Sequence, residues 1–290
     1  MQTMRDPNSF AVFILTHGRP HDVVTYDAMR QAGYTGDIFI IIDNEDKQAD
    51  GYRKVFGDKY VKQFDKAAIG QTFDICDTRT DRRATVFARN ASFEIAKQLG
   101  LDYYIQMDDD YKAFLYRFIQ DPTHLGSTPI RSLDAIFQAM IKFMEASNAV
   151  SVAMSQGGDF LGGTESQAAR KPLLRKCMNS WLFRTDRPAQ FVGRMNDDVN
   201  TYIMGGIRGD LFFTCSQVML TALPTQKVKG GMTEIYLDSG TYMKSMYTVM
   251  MAPSCVKVRS MGKTNMRLHH SVKWDNAVPK ILSDKHRKKR

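Results

Sequence analysis

Continuous apolar runs alternate with amphipathic stretches along the first part of the chain. Residues 10–15, Phe-Ala-Val-Phe-Ile-Leu, have no polar member, as expected of a strand buried on both faces of a parallel sheet. The break at Thr16-His17-Gly18-Arg19-Pro20 follows, and Pro20 suits the first turn of a helix running to about residue 31. Residues 37–42 repeat the apolar pattern and close on Asp43-Asn44. A helix over 48–56 and a short strand at 60–64 come next. Residues 80–99 place Val86, Phe87, Ala91, Ile95 and Leu99 at helical spacing. After Gly100, residues 102–107 form a strand that runs directly into Asp108-Asp109-Asp110.

Strands alternating with helices predict an α/β fold: a Rossmann-type, mostly parallel sheet joined by right-handed crossovers and flanked by helices. Ligands of such sheets bind beyond the carboxyl ends of the strands. Thr16 to Arg19, Asp43-Asn44 and Asp108 to Asp110 should therefore converge on one edge. Further on, the pattern predicts strands at 113–119, 150–154 and 180–184, and helices at 131–145, 197–204 and 233–250. Residues 155–175, with the pairs Gly157-Gly158 and Gly162-Gly163, read as a long loop able to act as a lid. Length suits a single domain over 1–280, with a nucleotide-binding half at 10–120, an acceptor-side extension at 121–280, and a basic tail at 281–290.

Charge adds a possible partner. The chain carries a net +9. Part of it lies in the tail Lys285-His286-Arg287-Lys288-Lys289-Arg290, read as disordered, and part in Arg79, Arg82, Arg83, Arg170, Lys171, Arg175 and Lys176. Such a surface favours polyanions through counterion release, which makes nucleic acid a candidate partner. No segment approaches the roughly 20 apolar residues of a membrane span. The N-terminal residues do not read as a secretory signal. Cys76, Cys177, Cys215 and Cys255 form no CxxC pair and read as reduced core thiols of a cytoplasmic protein.

The candidate chemistry centres on Asp108-Asp109-Asp110. Alternate residues of an extended turn point the same way, so Asp108 and Asp110 can share one side. Hard carboxylate oxygens there suit Mg²⁺ or Mn²⁺, which keep positions open for substrate phosphates. The competing reading is a solvated acidic turn. Arg89-Asn90 lies just upstream, where an arginine can reach a nucleotide phosphate or simply occupy a helix surface. Asn196-Asp197-Asp198 sits at a helix start, so capping competes with a general base that deprotonates a hydroxyl, Asp198 before Asp197. Either of His269 and His270 could complete a metal shell, and Lys273 could neutralise a departing diphosphate.

The order of these motifs resembles that of GT-A glycosyltransferases: Thr16-His17-Gly18-Arg19-Pro20, Ile40-Ile41-Ile42-Asp43, Ala88-Arg89-Asn90, Asp108-Asp109-Asp110, then Asn196-Asp197-Asp198. Residues 13–20, Gln106 to Tyr111 and His269-His270-Ser271 more narrowly resemble the phage TET/JBP-associated glycosyltransferases, which are thought to glycosylate 5-hydroxymethylpyrimidines in DNA. The resemblance implies a GT-A-like fold, a UDP-sugar donor, a Mn²⁺ or Mg²⁺ cofactor and, for a phage protein, the infected host's cytoplasm. It also implies that Thr16, His17, Arg19, Asp43, Arg89, Asn90 and Asp109 lie around the donor, with Asp108 and Asp110 on ribose and metal and His269 or His270 as a late metal ligand. Many relatives have a Glu-Asp pair where this chain has Asn196-Asp197-Asp198.

The reaction implied is an inverting transfer of a sugar, glucose in the first instance, to the hydroxymethyl group of a modified pyrimidine in DNA. Three other readings use the same residues: transfer to a polysaccharide or protein, nucleotidyl transfer, and a catalytically inactive nucleic-acid-binding module.

Overall fold

The computed structural model describes residues 9–76, 80–156, 163–166, 170, 180–223, 243–261 and 266–287. The apolar runs become β1 (Phe10–Leu15), β2 (Ile38–Asp43) and β4 (Tyr103–Asp108). Between them lie α1 (Val24–Gln31), α2 (Ala49–Phe56), β3 (Val61–Phe64), the single-turn α3 (Lys66–Ile69) and α4 (Val86–Gln98). The chain continues through β5 (Tyr111–Ile119), β6 (Leu125–Pro129), α5 (Leu133–Ser147), β7 (Ser151–Gln156) and β8 (Ser180–Arg184). Then come α6 (Asp197–Ile207), β9 (Phe212–Ala222), a helical stretch at 243–251 (α7), β10 (Val256–Met261), β11 (Arg267–Val272) and α8 (Trp274–Ala277).

Nine strands form one sheet in the order β3-β2-β1-β4-β8-β7-β9-β5-β6, and β10 pairs with β11 apart from it. The strands β3, β2, β1 and β4 are mutually parallel, and antiparallel pairing enters at β8. Each buried strand feeds two cores. Val12 and Ile14 pack with Met29 of α1 and Phe137 of α5, whereas Phe13 and Leu15 pack with Phe87 of α4 and Ile203 of α6. Apolar residues are needed at every position of such a strand, which is why β1 and β2 have no alternation.

The register delivers the predicted convergence. Leu15 lies beside both Ile41 and Asp108, so the residues after β1, β2 and β4 share one edge. Elsewhere the chain departs from the expected pattern. The helix foreseen from residue 80 starts at Val86, because the preceding segment is drawn into ion pairs: Arg82 with Glu45, and Arg83 and Arg194 with Asp81. The strand β9 lies outside the predicted elements, although it pairs with both β7 and β5. The tail read as disordered is docked at its start: His286 is buried, its Nδ1 is 2.6 Å from the Asn148 carbonyl, and Lys285 pairs with Asp210. Residues 288–290, Cys177 and most of the 155–175 loop, including Gly157, Gly158 and Gly162, lie outside the described residues. Of the described cysteines, all free thiols, Cys255 is buried while Cys76 and Cys215 are only partly so.

Gly33 closes α1 in the left-handed region at φ 82°, and a β-carbon there would sit 2.2 Å from the Arg131 carbonyl oxygen. Gly33→Ala combines backbone strain with a backbone collision, and should destabilise the fold by about 1–3 kcal/mol. Urea unfolding would check this; an unchanged midpoint would contradict it.

Candidate active site

Three consecutive aspartates at the end of β4 meet three different surroundings. Asp109 turns inward and is 2 % exposed. It accepts a bidentate pair from Arg19 (Nε and Nη2, both 2.7 Å) and a 2.5 Å hydrogen bond from Thr16 Oγ1. Thr16 also lies 3.1 Å from Tyr52 Oη, which accepts from the Arg19 amide. Thr16, Arg19 and Asp109, expected around the donor, are therefore bonded to one another, because a buried carboxylate needs a counter-charge and full hydrogen bonding. Burial still pushes the Asp109 carboxyl above the usual carboxylate range, against the pull of Arg19 and Thr16.

Asp108 faces the other way. Its Oδ1 accepts from Arg89 Nη2 at 3.0 Å, and the opposite edge of the same guanidinium places Nε 2.8 Å from Asp197 Oδ2. Arg89 is 3 % exposed, so neither a surface arginine nor a phosphate clamp describes it. It is a buried bridge between the end of β4 and the start of α6. Burial opposes its charge, but Asp108, Asp197 and Asp198 hold its pKa above the ordinary arginine value. The backbone of the turn is held from α1: Thr25 Oγ1 donates to the Asp108 carbonyl at 2.7 Å and accepts from the Tyr111 amide at 2.9 Å.

Asp110 has the third environment. Burial, then Asp108 and Asp109, raise its carboxyl to about 7, with Arg19 opposing. Asp197 is lifted to about 7 as well, by burial and by its acidic neighbours Asp198 and Asp108, despite Arg89. Asp108 is raised too, chiefly by burial, although a quarter of its side chain still reaches solvent. Five carboxyl groups, of Asp108, Asp109, Asp110, Asp197 and Asp198, thus act on two guanidiniums, of Arg19 and Arg89. That surplus of hard oxygen donors suits a divalent cation held by one or two carboxylates with substrate phosphates completing its shell. Asp108 and Asp110 are the residues able to hold it.

Along the same edge, His17 Nδ1 lies 2.8 Å from Asp43 Oδ2, and Lys66 Nζ donates to that oxygen at 3.1 Å. The bond to Asp43 raises the His17 pKa against partial burial. Burial pushes Asp43 upward, but His17 and Lys66 outweigh it and hold the carboxyl below its ordinary value. Lys66 gives no signal in the hydrophobic pattern; only the short turn after β3 brings it here.

Other expected residues take different places. Asn90 donates to the Phe191 carbonyl and accepts from the Phe191 amide, both at 2.9 Å, so its amide anchors the 191 segment and is not turned to a donor. His270 Nδ1 lies 3.2 Å from Asn196 Nδ2, and His269 Nδ1 lies 2.7 Å from the His270 carbonyl. Among the described residues, no three histidine, cysteine or carboxylate side chains gather as a preformed metal site, whether around Asp108 and Asp110 or around His269 and His270. The Asn196 contact holds β11 at the head of α6. Lys273 is exposed at the start of α8. Asn196, in the left-handed region at φ 53°, also donates to the Lys244 carbonyl at 2.7 Å and to Thr248 Oγ1 at 3.0 Å. As the residue preceding α6 it leaves Asp197 and Asp198 in the first turn, without a side-chain cap bond of its own.

Removing the bridging cation has a calculable sign. Asp197, lifted to about 7, keeps a proton in the folded state that the unfolded chain releases near the ordinary aspartate value of about 3.9. Its contribution to stability is complete below about pH 4 and lost as pH rises through about 7. Arg89→Met leaves Asp108 and Asp197 without their cation and should cost about 3–5 kcal/mol at pH 8, with a smaller loss at pH 5. Urea unfolding of both proteins in EDTA reads the difference; equal losses at the two pH values would refute the bridge.

The fold and site bear comparison with known proteins. Among solved structures, the glucosyl-3-phosphoglycerate synthase of Mycobacterium tuberculosis, crystallised with Mn²⁺, uridine diphosphate and phosphoglyceric acid, superposes with a TM-score of 0.48 at 8 % identity, covering 91 % of this chain and 87 % of that one. A putative nucleotide-diphospho-sugar transferase of Desulfovibrio desulfuricans gives 0.45 at 9 % identity over 85 % and 94 % of the two chains. TarS of S. aureus gives 0.45 at 10 % identity, over 76 % of this chain and 37 % of that one. No curated protein sequence matches. Among the described residues, no helix is long and apolar enough to cross a membrane. The sequence model of the TET-associated glycosyltransferases matches residues 10–231, which take in the sheet edge, the Asp108 turn and the start of α6. The chain therefore belongs to the TET-associated glycosyltransferase family.

Proposed function

We propose that the protein moves a sugar, glucose in the first instance, from a UDP-sugar to the hydroxymethyl group of a 5-hydroxymethylpyrimidine in DNA, with inversion and with Mn²⁺ or Mg²⁺. Family membership supports glycosyl transfer, and the resemblance to enzymes of hydroxymethylated DNA supports the acceptor. The observation that carries the reading is the Arg89 bridge, which ties a strand-end carboxylate suited to a donor's metal to a helix-borne acidic pair suited to an acceptor.

Asp108 and Asp110 would hold the cation, which when bound neutralises charge developing on the departing diphosphate. His17, half exposed and held by Asp43, borders the same edge and is the group placed to meet the uridine, since Arg19 is already bonded to Asp109. Asp197 is fixed on Arg89. Asp198, about 100° further round the helix, is partly exposed and serves as the base. It takes the proton of the acceptor hydroxyl as that oxygen attacks the anomeric carbon from the face opposite the leaving group. The bond from the anomeric carbon to the diphosphate oxygen breaks, and UDP departs with the electron pair. No covalent enzyme intermediate forms.

The test is incubation of UDP-glucose and UDP-N-acetylglucosamine with hydroxymethylcytosine, hydroxymethyluracil and plain DNA, followed by nucleoside mass spectrometry. A hexosylated hydroxymethyl nucleoside with equimolar UDP is expected; a product that retains the nucleotide would make the protein a nucleotidyltransferase instead. Asp110→Asn should lower turnover by about 10²-fold or more, and EDTA should abolish it until Mn²⁺ or Mg²⁺ is returned. Asp198→Asn should lower kcat by about 10²–10⁴-fold while UDP binding persists. Full turnover by either variant would remove that residue from the mechanism.

A further inference from the structure

From residue 239 to residue 274 the chain has 36 positions without a single aspartate or glutamate, although it holds 31 of them in 290 residues. The same stretch carries six lysines or arginines: Lys244, Lys257, Arg259, Lys263, Arg267 and Lys273. A solvated face ordinarily intersperses both signs, so a one-signed segment of this length calls for an anionic partner. Among the described residues of the body at first sight suited to that role, Arg82, Arg83 and Arg170 are neutralised internally, by Glu45, Asp81 and Glu165.

The described part of the stretch forms α7 and the β10–β11 ribbon, and among the described residues the ribbon is hydrogen-bonded to no strand of the main sheet. Strand alternation gives the ribbon two faces. Val256, His270 and Val272 share the inner one: Val256 is 1 % exposed, Val272 packs on the core and His270 meets Asn196. The outer face carries Lys257 opposite Ser271 and Arg259 opposite His269. Both cations are exposed, and among the described residues no carboxylate forms an ion pair with either. The ribbon is fastened to α6 at two points, through His270 on Asn196 and through Trp274, whose ring stacks on Tyr202 at 5.3 Å between centroids. The helix so gripped is the one that begins with Asp197 and Asp198.

We propose that the outer face of the β10–β11 ribbon docks the phosphate backbone of duplex DNA through Lys257 and Arg259, and so sets the acceptor's position relative to α6. The assignment rests on the DNA-acceptor reading above. Duplex fits better than single strand, because a two-stranded ribbon can enter a major groove, whereas single-strand surfaces present aromatic stacking platforms and the outer face shows lysine, arginine, histidine and serine.

The measurement is fluorescence anisotropy of a labelled duplex of about 25 base pairs titrated with the full chain over a range of salt. Each phosphate contact contributes about 0.9 to the slope of log affinity against log salt. Lys257→Gln/Arg259→Gln should therefore reduce that slope by about 2 and weaken binding roughly tenfold or more at low salt, with UDP binding unchanged as a check of the fold. The control Lys54→Gln/Lys142→Gln, with the same loss of charge at exposed positions on α2 and α5, should keep the parent slope. A ribbon variant with the parent slope, or a control that loses as much, overturns the ribbon assignment alone. A parent protein that binds no duplex even at low salt overturns the acceptor reading together with it.

Discussion

A guanidinium enclosed between two carboxylates sets the spacing of this site. Arg89 rises from the buried side of α4 and touches Asp108 on one edge and Asp197 on the other. Neither acid could be buried alone at neutral pH without taking up a proton. With one cation between them, each restrains the other, and the sheet edge is tied to a helix about ninety residues further along the chain. Pairs of this kind contribute little net stability compared with an apolar replacement, but removal of one member is costly. Their value here lies in position: the end of β4 and the start of α6 cannot drift apart while the bridge holds.

The parallel half of the sheet and its active edge were legible in the sequence because they depend on local pattern. Uninterrupted apolar runs at 10–15 and 38–42, short and closed by polar breaks, fit strands packed on both faces, and in parallel strands the polar residues that follow share an edge. The roles of Arg89, Asn90 and Asp109 were not legible, since each is decided by a partner distant in sequence. Asn90 looks like a donor ligand until Phe191 closes on it, 101 residues later. Strand β9 escaped for the same reason: a run mixing aromatic, hydroxyl and sulfur side chains becomes a strand only between β7 and β5, where it is paired on both sides. His286 has no feature separating it from the basic residues around it, and its burial follows from the Asn148 carbonyl and Asp210 on elements far upstream.

Charge follows the same division. Composition gives the net excess of +9 but not its distribution. The fold cancels many of the arginines near the sheet edge against Glu45, Asp81, Asp108 and Asp109, and leaves the opposite imbalance, surplus carboxylate, at the centre of the site. For the proposed DNA acceptor an acidic centre is repulsive, and since Arg89 and Arg19 are already engaged, the compensating charge in that proposal comes from the divalent ion and from basic elements at the margin.

The three aspartates after β4 show how one tripeptide can serve both ends of that arrangement. In the two-residue turn between β4 and β5, Asp109 points inward while Asp108 meets Arg89. Its partners, Arg19 and Thr16, belong to the loop after β1, while the partner of Asp108 belongs to α4. Locking Asp109 inward therefore fixes the direction of its two neighbours, and Thr25 fixes the backbone on which all three ride. An inward anchor bonded three times to the loop after β1 holds the turn in place, and Asp110 stays at an edge where burial and its acidic neighbours disfavour ionisation.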